Sequence, residues 1–250
     1  MRNALPIAAL LAACSPAPPR PDQAPLPAAQ LEAAPGQINL AELEGRIVAL
    51  GRSPEWRLDA DAQLGIVLVM PEQGLTFSAD FAAPQRHDAG AHIASDPVSL
   101  TLETGPCQID GVPYPLRARA EVEQGEPLAG CGFVRWDWRL IELLPAIDAC
   151  IVQSPTTRRV TYAALGDGAQ VFVRLHGEDA PPADCTAPLA PNGAAARVTA
   201  RDALRRIGGE GDAIFVRAPG ENPGGECYEA PEVRAADGAL LGWMDDPLGC

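Results

Sequence analysis

Seven cysteines, three histidines and a scatter of serines and carboxylates are the side chains with which this sequence could do chemistry, and their spacing points first to cross-links. Setting Cys14 aside, the cysteines are Cys107, Cys131, Cys150, Cys185, Cys227 and Cys250. An even set with no C-x-x-C spacing, and with His87, His92 and His176 far apart, favours disulfides over a metal centre or a redox pair. Sequence alone does not fix the connectivity. Pairing neighbours in order predicts Cys107 with Cys131, Cys150 with Cys185 and Cys227 with Cys250, each bridge contributing roughly 2–4 kcal/mol in an oxidising compartment. Hydrolysis needs a nucleophile beside a base, and Ser53, Ser78, Ser95 or Ser99 with His87 or His92 would supply one. No G-x-S-x-G is present, and the histidines lie in a stretch that reads as an exposed loop. Asp245 and Asp246 could hold Ca²⁺ only if the fold brought Glu210 and Asp212 to them, and no EF-hand spacing asks for that. The glycine-rich run from Pro219 to Cys227 lacks the lysine of a phosphate loop and reads as a turn fixed by Cys227. Trp56, Trp136, Trp138 and Trp243 would suit a ligand pocket, but their strand positions favour the core. The expectation is therefore no catalytic residue, no metal and no cofactor.

Cys14 stands apart. It closes Leu11-Ala-Ala-Cys14 after a single charge at Arg2 and about ten mostly apolar residues, too few to span a bilayer, which needs roughly 20. Residues 1–13 thus read as an export signal of the lipoprotein type, which resembles those whose cysteine becomes the first mature residue and carries acyl chains, palmitate among them. At about 0.8 kcal/mol per buried CH₂, several such chains hold a protein on a bilayer. Ser15 follows, without the Asp that often retains lipoproteins in the inner membrane, so the expected address is the periplasmic face of the outer membrane.

The formal charge is −14, and loss of residues 1–13 would leave 18 arginines against 33 acidic residues. Such a surface is repelled by nucleic-acid phosphates and by anionic headgroups, so attraction to the outer-membrane lipid must come from acylated Cys14. An acidic surface also suits a basic protein partner. Every basic residue is Arg and none is Lys, a composition from which no function follows.

The elements that must position these residues are mainly strands. Residues 14–38 are rich in Pro and Ala and are expected to be an extended tether at about 3.1 Å per residue. From residue 39 to 140 period-2 alternation dominates: Trp56, Leu58 and Ala60; Val98, Leu100 and Leu102; Leu116, Ala118, Ala120 and Val122; and Val134, Trp136, Trp138 and Leu140. Gly45 to Leu50, Gly65 to Met70 and Leu75 to Ala79 add three more strands. From Leu140 the spacing becomes helical, with Pro145 in the first turn. Strands at Arg158 to Ala164 and Ala169 to Leu175 follow, joined by an Asp-Gly turn, then a strand or helix at Ala196 to Ile207, and strands at Ala213 to Val216 and Ala239 to Met244. The fold class expected is mainly β: an antiparallel β-barrel or sandwich domain over 39–140, followed by a small disulfide-stapled α+β domain over 141–250.

Within the first of these, Gly51-Arg-Ser-Pro54-Glu-Trp56 is followed by Cys107, Asp110 and Gly111, then Tyr114-Pro115, then Gly130-Cys131-Gly132. This resembles a family of uncharacterised lipoproteins of Gram-negative bacteria with the pattern G-x-E-P-x-W, C-x-D-G, Y-P and G-C-G. Here Ser53 stands where Glu is usual, and one extra residue lies between Cys107 and Asp110. The resemblance covers about 100 residues, implies the Cys107 to Cys131 bridge and an envelope location, and brings no activity. The function expected is non-enzymatic, a lipid-anchored envelope protein that binds a partner or supports the envelope. The alternatives are an inhibitor of a cationic lysozyme and a periplasmic hydrolase.

Overall fold

Alternation of apolar and polar side chains builds the first sheet. Its strands are β1 (Ile47–Arg52), β2 (Glu55–Asp61), β3 (Gly65–Met70), β4 (Leu75–Ala79), β5 (Gln85–His87), β6 (Gly90–Ile93), β7 (Val98–Ile109), β8 (Val112–Val122) and β9 (Leu128–Val134). A computed structural model describes residues 43, 45–123, 125–177, 180–191, 196–224 and 228–247. The sheet is antiparallel in the order β4-β3-β2-β1-β9-β8-β7-β6-β5. Trp56, Leu58 and Ala60 of β2, Ile66, Leu68 and Met70 of β3, and Val98, Leu100 and Leu102 of β7 all fall on one face and share one core. Burying that face fixes register, since a one-residue slip would turn every apolar side chain to water. The sheet ends in β4 and β5 and is not closed, so the barrel expected as one alternative does not form.

The longest hairpin, β7–β8, turns at Asp110-Gly111, both at positive φ, which is the geometry a two-residue turn of this kind demands and which Gly and Asp tolerate. Its register shifts between Thr104 and Cys107, at Gly105-Pro106, so the tip bends out of the plane. The bend brings Cys107 across β8 to Cys131 of β9, their Cα atoms 5.6 Å apart.

The second sheet holds β10 (Arg159–Leu165), β11 (Gln170–His176), β12 (Ala183–Pro188), β13 (Arg197–Ala200), β14 (Ile214–Arg217), β15 (Glu232–Arg234) and β16 (Leu240–Asp245), in the antiparallel order β13-β12-β11-β10-β14-β16-β15. Helix α1 (Leu140–Gln153) buries Leu140, Leu143, Ala146, Ile147, Cys150 and Ile151 as one stripe. This stripe shares a core with Val171, Val173 and Leu175 of β11. The Cys150–Cys185 bridge ties α1 to β12. No described helix is long and apolar enough to cross a membrane.

Several local expectations are corrected. The alternation through Val134, Trp136, Trp138 and Leu140 is not a strand; β9 stops at Val134 and Trp136–Arg139 is a 3-10 turn. Trp136 is pulled inward by donating from its indole N–H to the carbonyl of Ala213 at 3.0 Å, while Trp138 is exposed. Pro145 lies inside α1, past its first turn. The histidine-bearing stretch is the β5–β6 hairpin, not a loop. Residues 196–207 yield only the short β13.

Candidate functional site

The pattern residues, dispersed over eighty positions, converge. A Cβ on Gly51 would collide with the Trp56 indole nitrogen, and one on Gly130 would strike the Leu50 carbonyl and lie 2.7 Å from the Trp56 ring. Glycine at both positions therefore lets the indole from β2 lie across β1 and reach β9, with its N–H directed at the Ala129 carbonyl, 3.4 Å away. Cys131 is the next residue, and its bridge folds the hairpin tip over this spot. Asp110 then meets Arg52 at 3.0 Å, beside Gly51. Tyr114 packs against Phe133 with ring centroids 5.9 Å apart. Gly51, Trp56, Asp110, Gly111 and Tyr114 thus serve the packing of one hairpin on the sheet, while Pro54 lies in the β1–β2 turn and Pro115 on β8.

The same tip is where the two sheets meet. Arg206 donates to the Asp110 carbonyl at 2.6 Å, and the Gly208 amide donates to the Pro113 carbonyl at 3.0 Å. Side chains on Gly208 and Gly209 would run into Tyr114 and Phe133 respectively. Val48, Phe133 and Ile207 are buried but belong to neither sheet's own core, as expected of a seam.

Beside the seam runs a chain of alternating charges. Asp137 pairs with Arg135 at 2.9 Å, Arg135 with Asp246 at 3.0 Å, and Asp246 with Arg46 at 3.1 Å. Arg46 continues to Asp59 at 3.0 Å, Asp59 to Arg57 at 2.7 Å and Arg57 to Asp212 at 3.0 Å. Burial alone would pull the Arg57 and Arg135 guanidinium pKa values down. The hydrogen bonds and charge of Asp59 and Asp212 for Arg57, and of Asp137 and Asp246 for Arg135, reverse this and raise both. The ladder joins the start of β1 to the segment after β16, so the two ends of the folded part are fastened together.

A second buried charge lies on the face of β11 opposite α1. Arg174 is 1% exposed and reaches Asp184 through Nε at 2.8 Å and Glu210 at 2.6 Å. It also donates to the Arg205 carbonyl at 3.0 Å. Glu210 is shared with Arg201 at 3.1 Å.

The chemistry weighed from the sequence is not assembled by these contacts. Glu210 and Asp212 are held by arginines, Asp246 takes part in the ladder and Asp245 accepts from the Tyr228 hydroxyl, so the four carboxylates do not converge on one point. Among the described residues no cluster of His, Cys, Asp and Glu could hold a metal ion. His92 shares a 3.0 Å hydrogen bond with Thr101, and Ser95 donates to the Asp80 carbonyl; no described hydrogen bond joins Ser53, Ser78, Ser95 or Ser99 to a histidine. Trp56 and Trp243 are buried. Bridges join Cys107 to Cys131 and Cys150 to Cys185. Cys14, the 1–13 signal, the 14–38 tether, Cys227 and Cys250 lie outside the described residues.

The buried arginines leave two signals in the sequence. Arg57 and Asp59 stand two apart, which on a strand means the same face, and Arg135 and Asp137 repeat that spacing just beyond the end of β9. Arg174 interrupts the apolar run Val171-Phe-Val-Arg-Leu175, and a charge there must be buried with a partner. Compared with known proteins, this chain matches no family profile, no curated sequence and no solved structure.

Proposed function

We propose that this protein is a lipid-anchored component of the bacterial cell envelope, held at Cys14 on the periplasmic face of the outer membrane and acting by binding a partner. Leu11-Ala-Ala-Cys14 at the end of a short apolar run carries the reading. Two disulfides in the folded part support it, because such bonds persist in an oxidising compartment. The resemblance of the Gly51 to Gly132 pattern to uncharacterised Gram-negative lipoproteins agrees with it. We read the first sheet, wrapped on one core, as a sandwich-like domain over 39–140, and the second sheet with α1, on its own core, as a stapled α+β domain over 141–250.

Metabolic labelling with an alkyne palmitate analogue tests the anchor. The wild type takes up label and fractionates with the outer membrane, whereas Cys14→Ser is unlabelled and soluble in the periplasm. Label persisting in Cys14→Ser, or an unlabelled and soluble wild type, refutes the reading. The net charge of −14 favours a basic partner, a cationic lysozyme among them. Inhibition of muramidase at stoichiometric amounts identifies that partner, and its absence removes it.

A further inference from the structure

We infer that the face of the second sheet opposite α1 carries a binding site for a phosphate group, centred on Arg205 and Arg197. This goes beyond the anchoring at Cys14 and does not depend on it. Residues directly opposite on neighbouring strands share a face, so Phe172, Thr186 and Arg197 form one row across β11, β12 and β13. The Arg205 guanidinium sits 4.2 Å from the Phe172 ring centroid. The guanidinium lies over the ring while Arg205 remains exposed, and guanidinium N–H groups are the donors that meet phosphate oxygens.

Arg205 is fixed at both ends: its carbonyl accepts from buried Arg174, and its guanidinium rests on Phe172. Neither Arg205 nor Arg197 has a carboxylate within ion-pair distance among the described residues, although ten other arginines of this acidic chain do. The Thr186 hydroxyl between them is exposed and adds a neutral donor. Around the row, Arg174 and Arg201 are matched by Asp184 and Glu210; Arg197 and Arg205 then stand against Asp202, whose carboxylate accepts from the Leu204 amide, a local excess of positive charge in a chain of charge −14. The repulsion of the remaining surface is screened beyond about 8 Å at physiological salt, so the local excess decides.

The test uses the full-length protein with Cys14→Ser, so that acylation does not carry it to membranes. One arm titrates glycerol 3-phosphate; the other uses phosphatidylglycerol vesicles against phosphatidylcholine vesicles. The readout is the Nε–Hε resonance of Arg205 together with the amide of Thr186. A saturable shift in the first arm assigns a soluble phosphate ester, and one in the second a lipid headgroup. Losing one charge-assisted contact weakens binding about tenfold or more, so Arg205→Gln and Arg197→Gln each do so, while Arg86→Gln, exposed on β5, leaves it unchanged. No saturable shift in either arm overturns the proposal. So does equal weakening by Arg86→Gln and Arg205→Gln, which would reveal only diffuse charge.

Discussion

Replacing Arg174 with Met should be among the most damaging single changes in the second sheet, because it removes a cation and strands the anions that the cation was buried to meet. Arg174 makes two hydrogen bonds to Asp184, one to Glu210 and one to the Arg205 carbonyl. After the change Glu210 keeps Arg201 at 3.1 Å, but Asp184 keeps little beyond the amide of Asp202 at 3.4 Å. Breaking a buried pair from one side costs about 3–5 kcal/mol, most of it the penalty of the charge left behind. We take about 4 kcal/mol. Urea unfolding with an m value of about 2 kcal/mol/M then shows the midpoint falling by about 2 M. The double variant Arg174→Met with Asp184→Leu removes both charges and should lie within about 1 kcal/mol of wild type, since apolar replacement of a whole buried pair is often neutral. The reasoning fails if the single variant loses less than about 1 kcal/mol, or if the double variant is no more stable than the single.

Two further outcomes are expected. Chain-entropy loss over separations of 24 and 35 residues gives the Cys107–Cys131 and Cys150–Cys185 bridges about 3.5 and 4 kcal/mol, so replacing either pair with Ser should lower the urea midpoint, and unchanged midpoints would contradict the estimate. All three tyrosines are shifted up: burial pushes Tyr162 up to about 12 and also raises Tyr114, and the hydrogen bond to Asp245 pushes Tyr228 up to about 12. The neutral phenol is the favoured form in the fold, so this stability is complete below the ordinary value near 10 and declines as pH rises from about 10 to 12. Absorbance at 295 nm should rise at higher pH in the folded protein than in urea, and Tyr162→Phe should shrink the late part of the transition.

Much of the first sheet is visible in the sequence because one face is wet and the other dry. Glu55-Trp-Arg-Leu-Asp-Ala-Asp61 alternates without a break, and β2 spans those residues. β12 gives no alternation to read because Ala183, Asp184 and Cys185 are buried in succession, on both faces, and its remaining residues are Thr, Ala and Pro. β9 is obscured by Gly130 and Gly132, which weaken any strand signal, while the tryptophans beyond it continue an alternation that the backbone does not follow. Gly130 is there for the Trp56 ring, which comes from a distant strand. The β5–β6 hairpin is too short to show a period.

What the amino-acid sequence determines alone is what depends on neighbours along the chain: the apolar run ending at Cys14, the period-2 strands, the Asp167-Gly168 turn and the even cysteine set. What tertiary structure decided is which distant groups meet. The pattern residues close into one hairpin clasp, three arginines and four aspartates form a ladder across the seam, and Arg174 finds Asp184 and Glu210. Periodicity reports the direction in which a side chain points, since that follows from the local backbone. The partner it meets depends on strand order and on where a long hairpin bends, and these are settled by burial summed over the whole chain.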